Sequence, residues 1–178
     1  MRICIFCSAN ENIAPVYYDR TRDLCRILVK KGHSIVFGGC ALGLMECVAE
    51  SVHDAGGMSI GIVPSIVERG GQASEYCDVK ILCENLTDRK ELMMTKSDLF
   101  IALPGGVGTL DEIFTVVASA SIGYHNKRVV LYNIDGFWNP LLAMLAEMRA
   151  KGMIRDNLDK ELLTASTLEE MVQMIDSF

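Results

Sequence analysis

The chain has 178 residues, half of them apolar and 22% charged, with a formal net charge of −6. That length supports one domain with its own core, and the acidic balance excludes a general nucleic-acid surface, which needs a basic face. No apolar run reaches the length that crosses a bilayer, and the short apolar stretch at 3–7 lacks the length and cleavage site of a signal peptide. The expected setting is the cytoplasm, with neither membrane nor nucleic acid as a partner. Seven scattered cysteines (Cys4, Cys7, Cys25, Cys40, Cys47, Cys77 and Cys83) fit free thiols in a reducing compartment. Cys4 and Cys7 form a C-x-x-C, but on a predicted strand, where small buried apolar residues are the better reading. His33, His53 and His125 lie far apart, so no metal site is expected.

In chain order, the pattern predicts a strand over 3–7. A helix over 15–31 follows, with Tyr17, Thr21, Leu24 and Leu28 on one stripe and Gly32 as its stop. A strand at 34–37 leads to a helix at 44–55 that ends at Gly56-Gly57. A strand at 59–63 closes at Pro64, and 65–76 reads as a polar surface loop with a turn of helix. Next come a strand at 79–82 and a helix at 88–97 with Thr87 as its N-cap. A strand at 99–103 precedes a helix at 109–122. A strand at 128–133 precedes a helix at 140–151, opened by Pro140 and stopped by Gly152. Ser166 and Glu169 read as a capping box for a last helix at 168–176.

Strands alternating with helices through short glycine-bearing turns mean βαβ units. The predicted fold is α/β: a doubly wound, Rossmann-like parallel sheet flanked by helices, one domain over 1–178. Such sheets bind ligands beyond the carboxyl ends of their strands. Two glycine-rich turns, after Phe37 and after Leu103, lie at such ends and can line one cleft.

The turn Gly38-Gly39-Cys40-Ala41-Leu42-Gly43-Leu44-Met45 fits neither the dinucleotide fingerprint nor the triphosphate loop. Alone, it reads as a tight turn that needs glycine for packing. The turn Pro104-Gly105-Gly106-Val107-Gly108-Thr109 says more. Three residues without Cβ let an anion reach backbone N–H groups at a helix N-terminus. Thr109 can cap that helix or offer its hydroxyl. Asp111 and Glu112 then fall in the predicted first turn, where acids complement the helix dipole. Carboxylates beside a bound phosphate would repel it unless they faced something else, and the attached sugar is a candidate. Asp88-Arg89-Lys90-Glu91-Leu92-Met93-Met94 is the third element. Arg89 and Met93 share one helix face and Lys90 and Met94 the next, so cations could meet a sugar-phosphate and thioethers a flat base. Taken singly, these read as surface charges and core filler.

The combination of Gly38-Gly39…Gly43-Leu44-Met45, Arg89-Lys90-x-x-Met93 and Pro104-Gly105-Gly106-x-Gly108-Thr109-x-x-Glu112 strongly resembles the lonely guy (LOG) family. Its members are cytokinin riboside 5′-monophosphate phosphoribohydrolases, formerly described as lysine decarboxylases. The resemblance covers nearly the whole chain, including Ile5-Phe6-Cys7-Ser8, His125-Asn126-Lys127 and Asn133-Ile134-Asp135-Gly136-Phe137-Trp138. It implies a homodimer with the site near the subunit interface. It also implies hydrolysis of the N-glycosidic bond of a purine nucleoside monophosphate to free base and ribose 5-phosphate, without a cofactor. Residue by residue, it puts catalysis on Arg89 and Glu112 and phosphate binding on Gly105, Gly106, Gly108 and Thr109. Ser8, Gly39, Lys90, Met93 and Asp111 complete the implied substrate site. The chain departs from the family pattern at Cys40 and Glu46, where the family reads glycine. Two other readings stand beside this one. One is a decarboxylase using pyridoxal phosphate, for which Lys90 is the only lysine near the motifs. The other is a non-catalytic nucleotide carrier or sensor on the same fold.

Overall fold

In a computed structural model, residues 1–154 and 157–178 are described. The strands are β1 (Arg2–Phe6), β2 (Ser34–Phe37), β3 (Ser59–Pro64), β4 (Val79–Cys83), β5 (Leu99–Ala102), β6 (Val129–Tyr132) and β7 (Leu162–Ala165). They form one sheet in the order β4-β3-β2-β1-β5-β6-β7, every neighbouring pair parallel. The order reverses between β1 and β5, and the loops leaving that pair border the crevice of a doubly wound sheet. The helices are α1 (Pro15–Lys30), α2 (Gly43–Asp54), α3 (Ser65–Arg69), α4 (Leu86–Lys96), α5 (Val107–Ser121), α6 (Asn139–Ala150), α7 (Leu158–Glu161) and α8 (Leu168–Asp176). No described helix is long and apolar enough to cross a membrane.

Alternation along each strand divides the core into two layers. Ile3, Ile5, Ile35 and Phe37 face α1 and α2 with Leu24, Leu28, Leu44 and Val48. Cys4, Phe6, Val36 and Phe100 face the other way and pack with Met93, Ile113, Val116 and Trp138. Both faces are covered, so the central strands read as continuous apolar runs. Cys4 and Cys7 are free, buried thiols, and burial holds both well above the ordinary thiol range.

Several boundaries differ from the sequence reading. The cap of α4 is Asn85, not Thr87: its side chain accepts from the Thr87 and Asp88 N–H groups at 2.9 and 3.0 Å. Helix α5 begins two residues early, capped by Gly106, so Thr109 lies inside it and caps nothing. Asp111 and Glu112 therefore leave the first turn, and the dipole no longer explains them. The last capping box is displaced by one residue. Thr167 Oγ1 accepts from Glu170 N–H at 3.1 Å, and Glu170 accepts from Ser166 N–H at 2.7 Å. The short elements β7 and α7 were not anticipated. Four residues of edge strand directly after one turn of helix give no sustained period of either kind.

Candidate active site

The loops leaving β1, β2 and β5 are tied together at the carboxyl edge of the sheet. Leu103 N–H donates to Phe6 O at 2.9 Å, Ser8 N–H to Pro104 O at 3.2 Å, and Leu44 N–H to Ser8 O at 3.0 Å. Between them opens a cavity of about 260 Å³. Cys7, Ser8, Ala9 and Asn10 form one wall and Met45 another, while Gly106, Val107, Gly108 and Thr109 form the rim; Arg89 and Glu112 also line it. A larger cavity of about 490 Å³ lies between α5 and α6. Its lining is apolar apart from Ser121, Asn157 and Glu161, so size does not locate the chemistry.

Glu112, on α5, is only 5% exposed although it lines this cleft. Arg89 reaches it from α4, donating from Nη1 to Oε1 at 2.8 Å, and anchors its Nε on Ile62 O at 3.3 Å. Burial pushes the Glu112 carboxyl up to about 7; Arg89 pulls it down and Asp111 adds to the rise. A carboxyl balanced there can either hold or take a proton at neutral pH. Beside this pair, Lys90 Nζ donates to both carboxylate oxygens of Asp111 at 2.7 and 2.8 Å.

The rim can receive an anion. The first helical bond of α5 runs from Leu110 N–H to Gly106 O, which leaves the Val107, Gly108 and Thr109 N–H groups without helical partners. A Cβ at Gly106 or Gly108 would meet nothing within 4 Å, so the space above them is open. Thr109 is 3% exposed, and its hydroxyl makes no hydrogen bond among the described residues.

The glycines divide into two kinds. Gly105 makes room for Thr109, whose Cβ would lie 2.6 Å from an added methyl. Gly39 has φ +69 and packs on Gly61 and Val63, so its role is the close approach of β2 and β3, outside the cleft lining. Gly38 clears the volume taken by the Arg89 guanidinium; an added Cβ would lie 3.2 Å from Arg89 Cζ and 2.9 Å from Met45 Sδ. We expect Gly38→Ala to push the guanidinium off Glu112 and cost about 1–3 kcal/mol. Urea unfolding checks this, and an unchanged midpoint would show that the guanidinium moves aside freely.

The structure thus brings Ser8, Arg89, Gly106, Gly108, Thr109 and Glu112 to one cleft, with Gly105 directly behind it. Lys90 and Asp111 lie beside the cleft, outside its lining. Met93 does not meet it: at 1% exposure it is packed in the core with Phe6, Ile62 and Phe100. The thioether that does line the cleft is Met45, whose position in the motif was visible but whose direction was not. Asn10 was missed, since an exposed loop residue gives no periodic signal. Of the departures, Cys40 pairs with Ala73 in an isolated bridge, and Glu46 keeps one buried carboxylate oxygen without a partner. Among the described residues, no group of three or more His, Cys, Asp or Glu is placed to hold a metal ion.

Fold and site define a Rossmann-like α/β protein with a buried guanidinium–carboxylate pair facing a glycine-rich helix N-terminus. The family described as "Possible lysine decarboxylase" matches residues 45–175. Cytokinin riboside 5′-monophosphate phosphoribohydrolase LOG5 of Arabidopsis thaliana is 36% identical over 178 residues, covering 99% of this chain and 78% of the relative. The chain belongs to this LOG family. A structural-genomics target solved by X-ray crystallography is 27% identical, with a TM-score of 0.77 and 99% of each chain covered. The Moco Carrier Protein from Chlamydomonas reinhardtii superposes with a TM-score of 0.76 over 99% of this chain and 95% of its own, at 18% identity, and so shares the fold.

Proposed function

We propose that this chain is a hydrolase that cleaves the N-glycosidic bond of a purine riboside 5′-monophosphate, of the cytokinin type or AMP, to free base and ribose 5-phosphate. The observation that carries the reading is Glu112: a nearly buried carboxyl, held by Arg89 at 2.8 Å, inside a cleft whose rim presents unpaired N–H groups. The relative's name supplies the reaction class.

In this reading the 5′-phosphate sits on the N–H groups of residues 107–109 and the Thr109 hydroxyl. That remote binding fixes the sugar and turns the reaction into one within a complex. Cleaving the ribosyl C–N bond builds positive charge at the anomeric carbon, as in glycoside hydrolysis. The Glu112 carboxylate stabilises that charge and takes a proton from the attacking water, whose oxygen bonds to the anomeric carbon; the base leaves with the C–N electron pair and takes up a proton from solvent. Arg89 keeps the carboxylate aimed. The chemistry asks for no cofactor. The same reading takes the working form as a cytoplasmic homodimer with the site near the interface, and light scattering on the purified protein checks the mass.

The test is incubation with purine and pyrimidine riboside monophosphates, beside the matching nucleosides, with chromatography for free base. Release from a purine monophosphate and little from its nucleoside is expected. Tight binding with no base released would instead make the protein a carrier or sensor.

A further inference from the structure

The segment 133–138 carries part of the family resemblance and takes no part in the proposed reaction. It lies directly after β6. Asn133 Oδ1 accepts from Trp138 N–H at 2.7 Å, and its Nδ2 donates to Asn139 Oδ1 at 2.9 Å. Those bonds hold a tight turn in which Asp135 adopts the left-handed conformation, with φ +52. Beside this turn, at the carboxyl ends of β6 and β7, opens a polar cavity of about 340 Å³. It shares no lining residue with the cleft that holds Glu112.

Tyr132, the last residue of β6, is 1% exposed and lines this cavity. Its hydroxyl opens to the cavity and makes no hydrogen bond among the described residues. A buried hydroxyl without a partner is costly, so a ligand that pairs it is favoured. Burial holds this phenol above its ordinary value, so it keeps its proton and can donate. Arg20 reaches the same cavity from α1, and its ion pair with Asp23 is a loose 4.0 Å. At the start of α8, the Leu168 and Glu169 N–H groups have no acceptor among the described residues, because Thr167 Oγ1 serves Glu170. These donors favour an anionic group. The Asp135 and Glu169 carboxylates line the cavity too, and neither makes a hydrogen bond or ion pair among the described residues. A phosphate dianion would be repelled by both carboxylates, and a simple cation by Arg20. A ligand that carries one charge of each sign meets a partner at both ends.

We propose that this cavity binds a free α-amino acid as its zwitterion. The ligand carboxylate takes the Arg20 guanidinium, the Tyr132 hydroxyl and the N–H groups of Leu168 and Glu169. The ammonium takes the Asp135 and Glu169 carboxylates, and the side chain lies against Ile134 and Leu168. The site goes beyond the proposed reaction and does not rest on it.

The experiment titrates the ¹⁵N-labelled protein with each common L-amino acid in turn, to about 10 mM, and follows the backbone amides by NMR. At least one amino acid should move the amides of Ile134, Leu168 and Glu169 saturably, with a Kd below about 1 mM, and leave those of residues 107–109 in place. Ethanolamine, which lacks the carboxylate, and lactate, which lacks the ammonium, should each bind about tenfold more weakly. Arg20→Gln should weaken the amino acid about tenfold and Tyr132→Phe about fivefold. Tyr132→Phe keeps the ring and removes a hydroxyl without a partner, so its urea midpoint should match the parent's. Three results would overturn the proposal: no amino acid moving these amides, lactate or inorganic phosphate binding as tightly as the amino acid, or both variants binding it like the parent. The titration involves no turnover, so its outcome stands whether or not base release is observed.

Discussion

Glu112→Gln is expected to lower base release about 10³-fold, the scale of a positioned acid–base group. The substitution keeps size and leaves an oxygen to accept from Arg89, so the 2.8 Å contact can persist. It removes the charge that faces the sugar and the site that takes the proton. The fold should survive: the parent carboxyl, pushed by burial up to about 7, already spends part of its time neutral at neutral pH. Comparing kcat with the urea midpoint checks both halves. Unchanged turnover would take Glu112 out of the reaction. In the parent enzyme, kcat should rise with pH through about 7 as the carboxylate forms. The substrate phosphate titrates at about pH 6, so the limb belongs to Glu112 only where its midpoint matches that of the free protein.

Arg89→Ala should cost on the order of 10²-fold in turnover, as for the loss of one preorganised donor in a closed site. Its effect on stability should depend on pH, and the sign follows from Glu112. The ordinary value of that carboxyl is 4.5, and burial has raised it in the folded protein. A group raised on folding contributes stability that is complete below its unfolded value and is lost as pH rises through its folded one. Removing Arg89 takes away a cation that favours the charged form, so the folded value climbs further and the loss extends to higher pH. At pH 5.5 Glu112 can stay protonated, and the variant should trail the parent by about 1 kcal/mol for the contact to Ile62 O. Above pH 8 the unpaired carboxylate should widen the gap to about 3 kcal/mol. Urea unfolding at the two pH values checks this. A gap that does not change with pH would show that Glu112 does not feel Arg89.

Most of this frame is legible in the sequence. Apolar runs of four to six residues between glycine-bearing turns can only be strands covered on both faces, and the carboxyl ends of such strands are where ligands go. The turn after β5 was readable because Gly106 and Gly108 are open to solvent, a freedom that packing does not demand. What sequence spacing could not give was direction. Arg89 and Met93 share a helix face, yet Arg89 extends along β3 to Glu112 while Met93 drops into the core. Spacing also could not separate a glycine that leaves open space from one that admits a neighbour: the missing Cβ of Gly105 makes room for Thr109, whereas those of Gly106 and Gly108 meet nothing. The sequence hides the start of α5 because Val107-Gly108 looks like loop. Its helical bonds come from being held between Gly106 and the buried Ile113 and Val116.

In the proposed reaction the anomeric carbon lies against Glu112 while the phosphate rests on the start of α5. A crystal structure of Glu112→Gln soaked with AMP tests it most directly. We expect the phosphate on the N–H groups of residues 107–109, with the ribosyl C–N bond facing residue 112. A phosphate bound elsewhere, or residue 112 turned away from the sugar, would contradict the account.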